Sequence, residues 1–537
     1  MDGPLLVIDR DDTRPLGVQL VDGLRRGILA GALRPGDPVP STRALAAELG
    51  VSRSSVVAAY DQLAGEGYLE SRQGAPTVVA ELEARPADAV PVARGTSTGA
   101  TGSAAVAAAV AAAAAGDASA RGSERGSERE PERPPGAVAA DNPTAAGARA
   151  GHPIVDLQPG VPSTARLDTR AWRAAWRHAA VAEPVAPVAP PGFGLPELRE
   201  QLADHLRRAR GIACTAADVV VTAGTGEALA LLAAALTGSA VDPATTRRTP
   251  RVAVEDPGYP SARRTLERRG IRTVPVRVDR DGLDLAALRA TPGPFDAVMV
   301  TPSHQYPLGG RLPVADRLAL LDWAGEHDAI VIEDDYDSEY RHTGTPLPAL
   351  ASLDTGRGLG RTVLVGSLSK VLTPWLRLGW IVLPDRPALR AAIAGIRRDE
   401  HSPVSGVVQA AMAEFIASGA LRRHIAASRR AYGHRRRLVA EALGDLPGAP
   451  LTALDGGLHA VLELPDEASA HAVVTRLADA GVAVAPLAYY ADSAPAVHHG
   501  IVIGYAAPTD TGLGEALARI RAEVLRALDT GAGTALG

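Results

Sequence analysis

Lys370 is the only lysine in a chain of 537 residues whose lysines and arginines together number 56. Every other basic side chain of that kind is an arginine. A guanidinium is a permanent cation with no accessible neutral form, whereas an amine can lose its proton and condense with a carbonyl. A single retained amine is therefore a candidate for carbonyl chemistry. Its neighbours fit that use. In VGSLSKVLTPWLRLGW (365–380), Ser367 and Ser369 precede the lysine and Arg377 follows it by seven residues. The run before them, Thr362 to Gly366, reads as a buried strand. A strand end carrying hydroxyls, an amine and a guanidinium suits a phosphorylated aldehyde, with serine and arginine for the phosphate and lysine for the carbon.

Three further stretches could complete such a site. DVVVTAGTGEALALLAAAL (218–236) is a strand, a glycine turn and a helix. Thr225 and Gly226 open that helix, where free N–H groups and the helix dipole favour a phosphate. EDPGYP (255–260) sets Tyr259 in a loop after a strand. AIVIEDDYDSEY (329–340) gathers acids at a strand end. Such acids could hold a metal, but no histidine completes a ligand set, so no metal site is expected. Between these stretches, buried strands at Val219 to Thr222, Arg251 to Val254, Ala297 to Thr301, Ala329 to Ile332, Thr362 to Gly366 and Trp380 to Leu383 alternate with helical patterns. That alternation predicts an α/β body with a largely parallel sheet. Ligands in such folds lie at the carboxyl ends of the strands, where the candidate residues fall.

The first 80 residues follow a different pattern. Leu20, Val21, Leu24 and Ile28 recur at helical spacing, predicting a helix over Leu16 to Ala30. Ser41 stands where an N-cap belongs before TRALAAEL, and Gly50 suits the position after its end. Ser52 caps a third helix whose Val56, Tyr60 and Leu63 form one apolar face, leaving Arg53, Ser54 and Ser55 outward. Two helices joined by a tight Gly-Val turn make a helix-turn-helix, and YLESRQGAPTVVA reads as a hairpin beside it. Between about 82 and 152 the chain turns to alanine, glycine, proline and serine. It has too little apolar surface for a core, so a disordered linker is expected. About 70 flexible residues would span roughly 45 Å.

Two resemblances follow from these residues. Pro15 to Val79, through LRPGDPVPSTRALAAELGVSRSSVVAAYDQLAGEGYLESRQG, resembles the GntR-type winged helix-turn-helix. The resemblance implies that Arg43, Ser52, Arg53, Ser54 and Ser55 face double-stranded DNA, and that Arg72 and Gly74 belong to the wing. The wing tip reads Gly-Ala-Pro where relatives usually carry a second glycine. From Ile154 to Arg526 the chain resembles the fold-type I aminotransferases that depend on pyridoxal 5′-phosphate (PLP). That likeness implies Lys370 as the site of an internal aldimine. It implies Ser367, Arg377 and the Thr225–Gly226 backbone for the phosphate, Tyr259 stacked on the pyridine ring, Asp334 on the pyridine nitrogen and Tyr336 on the ring hydroxyl. Asp335 is the rival for the nitrogen. TPSHQYPLGG (301–310) and EDDYDSEYRHTGTPLPAL (333–350) resemble the MocR/GabR group, in which both modules are fused. The expected layout is a winged helix-turn-helix over 13–81, the linker over 82–152 and a PLP-binding effector body over 153–537. A head-to-tail homodimer is implied.

Composition narrows the partners. The net charge of −5 excludes a globally basic nucleic-acid coat. Thr13 to Ala80 holds seven arginines against six acids, so one copy should bind DNA weakly and a pair is needed. One cysteine, Cys214, forbids an intrachain disulfide and fits a reducing compartment. The longest apolar run, Ala104 to Ala115, is too short to span a bilayer, and MDGPLLVIDRDD lacks the apolar stretch of a signal peptide. A cytoplasmic protein without membrane contact is expected. Two functions compete: a regulator whose aminotransferase-like body senses an amine, an amino acid or PLP, and a working aminotransferase with an added DNA anchor. In GIVIGYAAP (500–508), Val502 stands where such enzymes place the arginine that clamps the substrate carboxylate. Loss of a bidentate clamp costs affinity and orientation, which favours the regulator.

Overall fold

The computed structural model describes residues 16–29, 33–34, 36–65, 68–70, 76–80, 155–181, 190–239, 248–343, 347–493 and 496–534. The expected linker over 82–152 lies outside the described residues, as do Arg72 and Gly74 of the wing.

The N-terminal head is built from three helices, α1 (Leu16–Leu29), α2 (Thr42–Leu49) and α3 (Arg53–Gly65). Their apolar stripes meet in one small core that includes Leu20, Leu24, Leu45, Val56, Leu63 and Tyr68. The caps act as the spacing predicts. The Ser41 hydroxyl accepts from the Ala44 N–H at 3.2 Å, and Gly50 ends α2 in the left-handed region at φ 62°. Ser52 accepts from the Ser55 N–H at 3.1 Å and so starts α3. The wing is a short antiparallel pair, Leu69–Glu70 against Val78–Val79.

The body is organised around an eight-stranded sheet. Its order from one edge is Val219–Thr222, Gly379–Val382, Thr362–Ser367, Ile330–Asp335, Ala297–Val300, Arg251–Asp256, Arg272–Asp279 and Gly282–Leu283. Five neighbours in the middle, from Thr362–Ser367 to Arg272–Asp279, pair in parallel. Gly379–Val382 runs antiparallel to both of its neighbours. The reason lies in the connection: Leu368 to Leu378 is too short for the crossover that a parallel partner requires. The Lys370 loop is therefore a tight return at the strand ends and not a helical excursion. Successive residues of Thr362–Ser367 serve opposite cores, Val363 and Val365 on one face and Leu364 on the other. Helices cover both faces, and an antiparallel sheet of Leu451–Thr452, His459–Glu463, Gly500–Gly504 and Ala485–Pro486 forms the C-terminal part.

Arg317 ties the loop after Ala297–Val300 to the sheet. Its fully buried guanidinium donates to the carbonyls of Leu312 at 2.8 Å, Pro348 at 3.0 Å and Pro302 at 2.5 Å, and lies 4.0 Å from Glu333. Glu333 in turn accepts from the N–H groups of Leu350 and Ala351, which start the helix Leu350–Arg357. Burial lowers the Arg317 pKa to about 10, against the opposing pull of Glu333. Removing one partner of a buried pair leaves the other charge unpaired. Arg317→Met is expected to cost about 3–5 kcal/mol of stability, measured by urea unfolding of the purified chain.

Candidate cofactor site and nucleic-acid interface

Lys370 lies in the return between Thr362–Ser367 and Gly379–Val382, and its side chain is part-buried. Its Nζ donates to the Gly160 carbonyl at 2.8 Å. Gly160 has φ +79°, a backbone conformation that favours glycine, and a Cβ there would stand 2.5 Å from the amine and displace it. Burial lowers the Lys370 pKa, while Asp334 and Asp337 pull it back up. An amine held this way has a larger neutral, nucleophilic fraction than a surface lysine.

Asp334 lies on the next strand, paired in register with Val365. It is almost fully buried, and its Oδ1 has no hydrogen-bond partner among the described residues. Burial first, and then Asp335, push its carboxyl up to about 7, with Lys370 opposing. Its rival Asp335 is already engaged: Oδ2 accepts from Arg210 Nε at 2.8 Å. Arg210 also donates to the Ser303 hydroxyl at 3.0 Å. Burial raises both carboxyls and each keeps an unpartnered Oδ1, so what separates them is the Arg210 guanidinium, which holds Asp335 and not Asp334.

The remaining candidates surround this pair in different ways. Ser367 is buried at its strand end, and its hydroxyl accepts from the Ser369 N–H at 3.2 Å. Arg377 is exposed and adopts φ 46°, and a Cβ on Gly224 would stand 4.0 Å from its guanidinium carbon. Thr225 is the first residue of the helix Thr225–Ser239, with Gly226 next. Guanidinium and helix start thus share one corner, as a phosphate cup requires. Tyr259 is 41% exposed, with its ring edge-on to Tyr306 at 6.1 Å. Asp334 contributes to a raised Tyr259 pKa, after the larger effect of burial. Tyr336 donates to the His304 carbonyl at 2.9 Å and lies 3.0 Å from its Nδ1.

Several residues entered this neighbourhood without a sequence signal of their own. Gly160 lies far from the lysine in the chain, and Arg210 ends the helix Pro196–Arg210. His304, Asp337 and His459 each bring one potential ligand atom within 4.8 Å of the others. Two of the three are joined directly, His304 Nδ1 facing Asp337 Oδ2 at 2.9 Å, while His459 Nε2 meets the Pro307 carbonyl at 2.9 Å. Burial lowers His459 to about 4, which keeps it neutral and lets Nε2 donate. Only Asp337, inside the acidic run, could have been marked from sequence.

Val502 is fully buried in Gly500–Gly504, packed with Val461, Ala485, Leu487 and Tyr490. It pairs with Val461 on one side and Ala485 on the other. No guanidinium can arise at that place.

In the head, Arg43, Ser52, Arg53 and Ser54 are exposed and Ser55 is half-buried. The Ser52 hydroxyl lies 2.8 Å from those of both Ser54 and Ser55. Tyr60 anchors α3 through its hydroxyl, which donates to the Pro40 carbonyl at 2.7 Å. The start of α3 therefore presents hydroxyls, free N–H groups and the Arg53 guanidinium to the outside, the set that phosphates and a guanine edge accept.

The chain matches the family described as aminotransferase class I and II over residues 152–520, and that described as bacterial regulatory proteins, gntR family, over residues 16–79. It is a winged helix-turn-helix joined to a fold-type I aminotransferase-like body. The chain belongs to the MocR/PdxR-type family of HTH transcriptional regulators. It is 38% identical to the HTH-type pyridoxine biosynthesis transcriptional regulator PdxR of Corynebacterium glutamicum, over 96% of this chain and 97% of that one. It is 36% identical to the probable rhizopine catabolism regulatory protein MocR of Rhizobium meliloti, over 81% and 78%. Among solved structures, an archaeal alanine:glyoxylate aminotransferase shares the fold at TM-score 0.64 and 23% identity, covering 71% of this chain and 93% of that one.

The raised Asp334 pKa has a measurable consequence. Between the ordinary 3.8 and about 7, the folded protein keeps a proton that the unfolded chain has released. Stability therefore falls as pH rises through that window. In the cofactor-free protein, Asp334→Asn should raise the melting temperature at pH 8 by a few degrees and leave it nearly unchanged at pH 4, read by differential scanning fluorimetry.

Proposed function

We propose that this chain is a PLP-dependent transcriptional regulator. Its head, residues 13–81, reads an operator. A linker over 82–152 joins it to a body, residues 153–537, that senses a small amine, an amino acid or PLP itself. The observation that carries the cofactor reading is the chain's single lysine, part-buried and close enough to Asp334 to be drawn by its charge, where the Asp334 Oδ1 lacks a partner. That donor set fits PLP. When bound, PLP supplies an electron-withdrawing pyridine ring and a visible chromophore.

The protein's own residues divide the work. Lys370 offers a nucleophilic amine, and the Gly160 carbonyl orients it. Asp334 would hold a proton on the pyridine nitrogen. Ser367, Arg377 and the N–H groups of Thr225 and Gly226 would bind the phosphate. Tyr336 would meet the ring hydroxyl, and Tyr259 would lie against the ring. At the head, Arg43, Ser52, Arg53, Ser54 and Ser55, with Arg72 and Gly74 of the wing, would contact double-stranded DNA. A homodimer would pair two such heads on two half-sites. An effector that favours one dimer arrangement over another shifts their spacing, and so operator affinity. The Corynebacterium relative is named for pyridoxine biosynthesis, which makes PLP the first effector to test.

The competing reading, a working aminotransferase, meets the buried valine at position 502. An aliphatic side chain there offers nothing to a substrate carboxylate. No described helix is long and apolar enough to cross a membrane, and a regulator of this kind acts where its DNA is, in the cytoplasm.

Two measurements test the reading. Purified protein should be yellow, and Lys370→Ala should lose the band; a colourless wild type that takes up no PLP would defeat the cofactor assignment. Arg53→Ala should weaken operator binding by about 10- to 100-fold, since a bidentate base contact is worth about 1–3 kcal/mol, while the visible spectrum stays intact. Sustained turnover with common amino donors and oxo-acids would instead establish the enzyme.

A further inference from the structure

The body contains a second cavity, of about 600 Å³, whose wall includes neither Lys370, Ser367 nor Arg377. It lies among the helix Pro196–Arg210, the turn Ser338–Arg341 and the helices Gly406–Ala417 and Ala420–Leu443. Its size falls in the range of about 300–1,000 Å³ that small-molecule sites occupy.

The charge in its wall is unbalanced. Arg208, Arg210, Arg341, Arg422 and Arg429 face two acids, Asp204 and Glu339. Both acids already have neighbours. Asp204 takes Arg208 at 2.8 Å, and Glu339 lies 3.6 Å from His205. Arg210 is held by Asp335, and Arg429 donates to the Glu339 carbonyl at 2.8 Å. Arg341 is left over: among the described residues it makes no hydrogen bond or ion pair, although it is half-buried. Burial and the nearby Arg311, Arg429 and Arg210 lower its pKa to about 10. Repulsion of this kind persists in a folded wall at a cost that a bound anion would offset. The other side of the cavity is apolar, formed by Ile416, Leu421 and Ile425.

We propose that this cavity binds a small organic phosphate, with the arginines on the phosphate and the aliphatic wall on its carbon body. Guanidinium forks match phosphate oxygens bidentately. The site is distinct from the phosphate cup at Arg377, and Arg210 connects it to the acids at the end of Ile330–Asp335. It lines this cavity and also holds Asp335, the neighbour of Asp334. A phosphate that competes for Arg210 alters the field at the cofactor carboxylate without touching the cofactor.

The test uses the full chain loaded with PLP and reduced with borohydride, so that the Arg377 cup stays filled. Phenyl phosphate is titrated in by calorimetry, with inorganic phosphate as a second arm. Saturable binding of phenyl phosphate is expected, at least tenfold tighter than inorganic phosphate. In the Arg341→Gln/Arg422→Gln double variant it should weaken at least tenfold, with PLP uptake and melting temperature preserved. The proposal is overturned by absence of saturable binding, by a double variant that binds within twofold of wild type, or by equal affinity for the two probes, which would mark an adventitious anion only. A double variant that loses operator affinity with no phosphate ester present would show that this wall grips DNA instead, and would also overturn it. If the chain takes up no PLP, the same titration on the unloaded protein and its double variant decides the matter independently of the cofactor.

Discussion

Setting a part-buried amine close to a buried carboxylate that lacks a partner is the constraint on which the rest of the body depends. Desolvation disfavours the charged form of both Lys370 and Asp334, and their mutual attraction only partly offsets it. Such a pair persists because the strands that carry it are stabilised elsewhere. Thr362–Ser367 and Ile330–Asp335 are central in the sheet and covered by apolar side chains on both faces. The short return that carries Lys370 forces the antiparallel strand Gly379–Val382, which brings Arg377 and Gly224 into one corner. Local strain and desolvation at a site, held by a stable frame around it, is how reactive groups are kept ready.

A ring of buried polar groups supports that arrangement. Arg317 and Glu333 fix the loop and helix behind Asp334, and Arg210 occupies Asp335. His304, Asp337 and Tyr336 form a hydrogen-bonded set, with His459 close beside it. On the proposed reading, the aminotransferase architecture keeps its carbonyl-reactive centre, while the place of the carboxylate clamp is filled by an aliphatic side chain. A site that holds a cofactor but grips an amino acid poorly is suited to sensing, because occupancy need not lead to turnover. Its output can be geometric, carried to the heads by the arrangement of two chains.

Much of this was legible in the residues. The unique lysine, the hydroxyl before it, the arginine after it and the acidic run all marked themselves by type and spacing. Helix caps at Ser41, Gly50 and Ser52 were equally plain, because capping is a local matter of one side chain and a few N–H groups. The roles of Gly160, Arg210 and His459 were not. Each reaches the site across a long stretch of chain, and a glycine, a helix-terminal arginine and a strand histidine look ordinary where they stand.

By itself the amino-acid order determined which chemistry was possible: one amine able to condense with an aldehyde, a helical reading head, and no arginine at position 502. Only tertiary structure decided which of two neighbouring aspartates is paired with a cation, because the choice turns on a guanidinium 125 residues away in the chain. It also decided that five arginines should share a wall with few acids to answer them. The physical reason is the same in both cases. Backbone and capping preferences act over a few residues, whereas desolvation and charge pairing depend on what folding brings within a few ångströms.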